Sequence, residues 1–189
     1  MSDLQKTFNK ETVGKLQKHL EIKNVMAVPR LTKIVVNMGV RDAIGDKKNV
    51  DRMAQMIATV TGQKPKVTRA KKAIAGFKLR QGDPIGLVVT LRGKRMYAFF
   101  EKIVAIVLPR IKDFRGVSRT AFDGRGNYTL GLHEQSVFAE IDPGSIERLQ
   151  GMEIVFVTTA IDNAHGVALL EEMGMPFTKI KEKETKKAA

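Results

Sequence analysis

The 189-residue chain has no cysteine and no tryptophan, and only three histidines. Without cysteine there is no disulfide, no thiolate metal site and no cysteine nucleophile, which accords with a reducing compartment. The histidines, His19, His133 and His165, are scattered and give a histidine metal cluster little material. Long hydrophobic runs are also missing. The longest strongly apolar stretch, Ile103 to Leu108, falls far short of the ~20 residues that span a bilayer. The first residues, MSDLQKTFNKE, lack the apolar centre of a signal peptide. Acidic residues are scarce: 20 Asp and Glu against 33 Lys and Arg give a formal net charge of +13 and a pI near 10.0. A cationic excess of this size draws a protein to nucleic acid or to an anionic membrane, and the membrane option requires a basic amphipathic helix or a spanning segment. Neither is evident in the sequence. The expectation is a soluble cytoplasmic protein with nucleic acid as its partner, long enough for one good core.

The basic residues are not spread evenly. Lys64 to Arg80, KPKVTRAKKAIAGFKLR, carries Lys64, Lys66, Arg69, Lys71, Lys72, Lys78 and Arg80 and no acidic residue. A solvated protein face mixes signs because unpaired like charges repel, so a block of one sign places its counter-charge on a partner. Val67, Ile74, Phe77 and Leu79 interrupt the block, and Gly76 gives it a point of bending.

Two segments alternate cleanly and predict strands. In KIVVNM, Ile34, Val36 and Met38 fall on one face and Lys33, Val35 and Asn37 on the other. In LVVTLR, Leu87, Val89 and Leu91 are separated from Val88, Thr90 and Arg92. Strands of this kind suit an antiparallel sheet covered by helices on one side. Further strands are expected at Lys64 to Thr68, Asn127 to Leu132, Val137 to Ile141 and Glu153 to Thr159. Helical spacing joins Val50, Met53, Ile57 and Val60, with Asp46 as cap and Gly62 as stop. A second helix is expected from Lys94 to Leu108, ending before Pro109, with Met96, Phe99, Ile103 and Ile106 or Val107 facing inward. Phe99 and Phe100 are read as core because their spacing follows the helical repeat. A third helix follows Asp162, and Leu4, Phe8, Leu16 and Leu20 outline one at the amino end. Residues 110–125 and 142–150 read as exposed loops. This order predicts an α+β two-layer sandwich, its mainly antiparallel sheet covered by helices on one face, with extended basic loops. One domain is expected over 1–178, and a charged, disordered tail over 179–189.

Catalytic patterns fail on inspection. Gly124, Gly126 and Gly131 miss the dinucleotide fingerprint, since Thr129 stands at its third glycine, and no GxxxxGK[ST] string occurs. His133 and Glu134 open an HExxH pattern that Val137 breaks. Ser118, Ser136 and Ser145 lie in no recognisable nucleophile elbow and are explained by turn chemistry. No metal site and no cofactor is expected. An enzyme acting on RNA would need a cofactor loop, a metal cluster or a poised base. A free-standing nucleic-acid chaperone or DNA-binding protein is compatible with charge alone.

The polar sheet face is the better candidate. Lys33, Asn37, Thr90 and Arg92 share it, so that amide, hydroxyl and cations could converge on a sugar-phosphate backbone. Alternation alone leaves a second reading open, a solvated face that happens to be polar.

Several strings resemble those of the bacterial large-subunit ribosomal protein five family, whose members bind 5S rRNA in the central protuberance. They are VPRLTKIVVNMGV from Val28, TGQKP from Thr61, AGFKLRQGDPIG from Ala75, VTLRG from Val89, LPRIKDFRGVS from Leu108, FDGRGNYTLG from Phe122 and GMPF from Gly174. The resemblance implies an antiparallel α+β sandwich without enzymatic activity, assembled into the large ribosomal subunit. It implies an rRNA-binding set of Lys33, Asn37, Gln63, Lys64, Lys66, Thr68, Thr90 and Arg92, with 5S rRNA and 23S rRNA as partners. Within 71–81, Lys71, Lys72, Ala75, Gly76, Phe77, Lys78 and Arg80 would reach P-site tRNA. Arg110, Arg115, Glu134, Asp142 and Pro143 would face the small-subunit head, where the family bridges to small-subunit protein thirteen. No membrane or small-molecule partner is implied. The sequence departs from the family pattern at Val88, where a basic residue is common, at Ala73, where a small hydroxyl is common, and at Ala139, where proline is common.

Overall fold

Alternation over Leu31–Gly39 buries Ile34, Val36 and Met38 and leaves Asn37 and Gly39 exposed, while a register shift between Leu31 and Lys33 accompanies the burial of Leu31; this strand, β1, is the centre of the sheet. The computed structural model describes residues 11–40, 48–142, 144 and 148–178. In chain order the elements are α1 (Val13–His19), β1, α2 (Lys48–Thr61), β2 (Lys66–Arg69), β3 (Pro84–Leu91), α3 (Gly93–Lys102), β4 (Tyr128–Leu132), β5 (Met152–Thr158) and α4 (Asn163–Glu172). The five strands run in the order β2-β3-β1-β5-β4, and every neighbouring pair is antiparallel. The fold is therefore the α+β sandwich that the patterning predicts.

Each inward strand face feeds one core. Leu87, Val89 and Leu91 of β3, Ile154 and Phe156 of β5, and Tyr128, Leu130 and Leu132 of β4 are buried with the β1 residues against Val50, Ile57 and Val60 of α2, Met96, Phe99 and Phe100 of α3, and Ala168 to Leu170 of α4. Phe100 meets Phe156 edge-on at 5.6 Å between ring centroids, a favoured aromatic geometry. Both phenylalanines read as core, Phe99 and Phe100, are buried. At the amino end Leu16 is buried and α1 packs against α4. Leu4, Phe8, the expected cap Asp46 and the tail from Lys179 lie outside the described residues.

Two expectations are corrected. The second helix does not stop before Pro109. It passes from α3 into a wide π turn, Ile103–Val107, where the Leu108 N–H donates to the Ile103 carbonyl, and ends at Arg110. Pro109 stands inside that last turn, directly after the wide turn, and lacks the N–H that would continue the ladder. The wide turn also fixes the phase: Val107 and Leu108 are buried, and Ile106 points outward. The second correction concerns Val137 to Ile141, which is not a strand but a 3-10 turn, Gln135–Val137, followed by bends. Phe138 and Ile141 are its buried members, three residues apart rather than two. The buried Gln135 side chain holds the turn in place by donating to the Arg148 carbonyl at 2.7 Å and accepting from the Gln150 N–H.

Candidate nucleic-acid interface

All the helices named above contribute to one core on one side of the sheet, so the other face is uncovered among the described residues. Strand register lays out its rows. Lys66 of β2 stands opposite Val88 of β3, Val88 opposite Asn37 of β1, Asn37 opposite Glu153 of β5, and Glu153 opposite Gly131 of β4. The adjacent row runs Thr90, Val35, Val155, Thr129. Beyond it Lys33 stands opposite Val157, and on the far side Thr68, Gly86 and Gly39 are aligned. The structure thus gathers Lys33, Asn37, Lys66, Thr68 and Thr90 on the β2-β3-β1 half. Lys64 precedes β2 and Arg92 follows β3, both exposed at its border.

The middle of the face is half-buried valine, Val35, Val88, Val155 and Val157. At its end Gly86 is dictated by packing: a Cβ there would lie 2.8 Å from the Met38 carbonyl oxygen and 3.0 Å from Thr68 Oγ1. Gly86 is buried there, and its missing side chain makes room for Thr68 to lie against β3.

Gln63 is tied to the sheet edge instead of standing free. Its Nε2 donates to the Thr90 carbonyl at 3.2 Å, and its Oε1 accepts from Arg95 Nη1 at 3.4 Å. Arg95, on the first turn of α3, joins the cationic border and is a residue that sequence reasoning missed. Glu153 was missed as well. Its parity with Val155 was legible, but its place beside Asn37 depends on strand order.

The segment 71–81 is a small hairpin projecting from β2 and β3. Ile74 and Leu79 exchange both backbone hydrogen bonds, at 3.0 and 3.2 Å, around a 3-10 turn Ala75–Phe77, and Lys78 takes a left-handed conformation. Its base is closed by Ala70 N–H to Asp83 carbonyl at 2.8 Å, Gly82 N–H to Ala70 carbonyl at 2.9 Å and Arg69 Nη1 to Gly82 carbonyl at 2.9 Å. Lys71, Lys72, Ala75, Gly76, Lys78 and Arg80 are all exposed, and Phe77 is 72% exposed at the tip. Ile74 and Phe77 do not pack into the core.

A third region lies at the end of α3. Lys102 Nζ donates to the Val60 carbonyl at 2.9 Å and pairs with Glu140, so the segment after β4 is pinned to α2 and α3. Burial opposes ionisation of Glu140, but the hydrogen bond from Lys102 and the nearby charges of Lys102 and Arg110 bring its pKa below the usual value. Arg110 is therefore close to this segment. Arg115, Glu134 and Asp142 are exposed, with Glu134 accepting from Ser136 Oγ and Asp142 from the Gly144 N–H, both at 3.0 Å. Pro143 lies outside the described residues.

Gly126, in the loop before β4, has a structural use. The Asp123 carboxylate accepts from the Asn127 side chain at 2.6 Å and from the Arg125 and Asn127 N–H groups, which holds its pKa below the usual range. Gly126 has φ +74, and a Cβ on it would lie 2.5 Å from the Ala160 Cβ, so only glycine lets this loop lie against the start of α4. Tyr128, whose hydroxyl donates to the Ser118 carbonyl at 2.9 Å, has its pKa pushed up to about 12 by burial.

Fold and site together define a two-layer α+β sandwich that presents one uncovered, cation-bordered sheet face and a basic hairpin. The chain belongs to the ribosomal protein L5 family: it matches the family described as Ribosomal protein L5 over residues 24–80, and the family's C-terminus, described separately, over residues 84–177. It is similar to the large ribosomal subunit protein uL5 of Roseiflexus castenholzii, 53% identical over 92% of this chain and 97% of that one. It is also similar to the protein of the same name from a Nostoc species, at 55% over 91% of this chain and 95% of that one. A third such protein, from Citrifermentans bemidjiense, is 52% identical over 94% of this chain and 99% of its own length. The family is one of structural ribosomal proteins, not of enzymes.

Proposed function

We propose that the chain is a cytoplasmic structural constituent of the large ribosomal subunit that binds 5S rRNA through the open sheet face and helps attach it to 23S rRNA. The observation that carries this reading is the convergence on one uncovered face of Asn37, Thr90 and Thr68 with Lys33 and Lys66, in a family whose relatives are named as large-subunit proteins. Amide and hydroxyl groups can bond 2′-hydroxyls and phosphate oxygens, while the bordering cations release counterions from the RNA. The hairpin at 71–81, wholly basic in its charge and presenting Phe77 at its tip, is read as the contact to P-site tRNA. The pinned segment from Glu134 to Asp142, together with Arg110 and Arg115, is read as the contact to small-subunit protein thirteen.

Sucrose-gradient fractionation after a high-salt wash tests the proposal. A structural constituent stays in large subunits in stoichiometric amount, and purified protein binds 5S rRNA in preference to an unrelated RNA of equal length. Release into the soluble fractions, or equal affinity for both RNAs, would count against it.

A further inference from the structure

An acidic side chain stands on the uncovered face, on β5, next to the polar half of the sheet. Glu153 is exposed on β5, between Asn37 of β1 and Gly131 of β4. No hydrogen bond or ion pair joins its carboxylate to another described residue. Lys66, in the same row, is three strands away, about 14 Å at the usual strand spacing. Lys33 lies four residues along β1 from Asn37, about 13 Å. On the other flank Gly131 has no side chain, and a Cβ there would meet nothing within 4 Å, so the carboxylate is open to a ligand from that side.

A bare carboxylate on a surface that binds a polyanion repels phosphate and weakens the binding of every RNA alike. It strengthens binding only where the RNA offers a hydrogen-bond donor, a base amino or imino group or a 2′-hydroxyl. There the ionised acceptor forms a bond roughly twice as strong as a neutral pair. Asn37 beside it can both donate and accept. Resting on the reading of this face as the 5S rRNA surface, we propose that Glu153 is a specificity-determining residue. Its carboxylate accepts a hydrogen bond from an RNA donor seated beside Asn37 and disfavours any RNA that would place a phosphate there.

The full chain and Glu153→Gln are compared on 5S rRNA, an unrelated structured RNA of equal length, and a DNA copy of the 5S sequence, with melting curves confirming that both proteins are folded. If the carboxylate acted through charge alone, its removal would tighten binding to all three. The proposal expects 5S rRNA to bind about tenfold more weakly to the variant, while the unrelated RNA binds no more weakly than before. Tighter or unchanged binding of 5S rRNA overturns it, as does an equal loss on both RNAs. The DNA arm identifies the donor. An equal loss on the DNA copy assigns a base edge, which DNA and RNA share. Should the unmodified chain fail to prefer 5S rRNA, the reading of the face itself fails, an outcome separate from any effect of the variant.

Discussion

At the residue scale, Asn37, Gln63 and Thr90, which we propose as part of the 5S rRNA surface, are held differently. Asn37 is exposed and its side-chain amide makes no hydrogen bond to another described residue, so that amide is available to a partner. Gln63 spends one N–H on the Thr90 carbonyl and its oxygen on Arg95. Asn37→Ala should weaken 5S rRNA binding by about 0.5–1.5 kcal/mol, more if the RNA partner is left buried and unpaired. Its melting temperature should match the unmodified chain; a collapse in melting with normal binding by the folded fraction would make Asn37 structural. Asp123 gives a separate expectation in pH. Its carboxyl titrates low in the fold because Asn127 and the Arg125 N–H bond the ionised form. That preference stabilises the fold above the unfolded carboxyl value, about 3.9, and is lost as pH falls through the lower folded value. The gap in melting temperature between the chain and Asp123→Asn should therefore be full at neutral pH and close in acid. A gap independent of pH would show that Asp123 acts only through shape.

At the scale of elements, the alternating strands and the helix from Lys48 to Thr61 were legible because one face of each is buried and periodicity records that directly. The segment after β4 was not. Val137 to Ile141 reads as a strand, but the side-chain bonds of Gln135 and the Lys102–Glu140 pair bend it into turns. The 71–81 segment, expected as a loop, is a closed hairpin standing off the core, and its base at Ala70, Gly82 and Asp83 belongs to the β2–β3 connection. Deleting Ala73 to Lys78 leaves that base in place. The deletion should retain nearly full 5S rRNA binding and cooperative melting while weakening retention of P-site tRNA on reconstituted ribosomes. Loss of 5S rRNA binding in a protein that still melts cooperatively would refute the division between sheet face and hairpin.

At the scale of the whole molecule, the charge of +13 and the uncovered face make affinity depend on salt. Binding to 5S rRNA should give a linear plot of log affinity against log salt, with about 0.7–0.9 of negative slope for each phosphate neutralised. An affinity that does not change with salt would remove electrostatics from the interface. The single sheet draws β1 and β2 from the stretch matched by the first family description and β3 to β5 from the stretch matched by the second. The polar face is consequently built across both, and neither stretch alone supplies the row from Lys66 to Gly131.

The sequence by itself determined the cationic character, the sandwich class, the inward set of β1 and β3, and the basic block of 64–80, because composition and period are local properties of the chain. Strand order was decided only by tertiary structure. Setting β5 against β1 brings Glu153 to Asn37 across more than a hundred residues, which no local pattern encodes. The tethering of Gln63 by Thr90 and Arg95, and the passage of a helix through Pro109, were decided there too. Each depends on where a distant backbone carbonyl, side chain or widened turn comes to lie, and that is a property of packing.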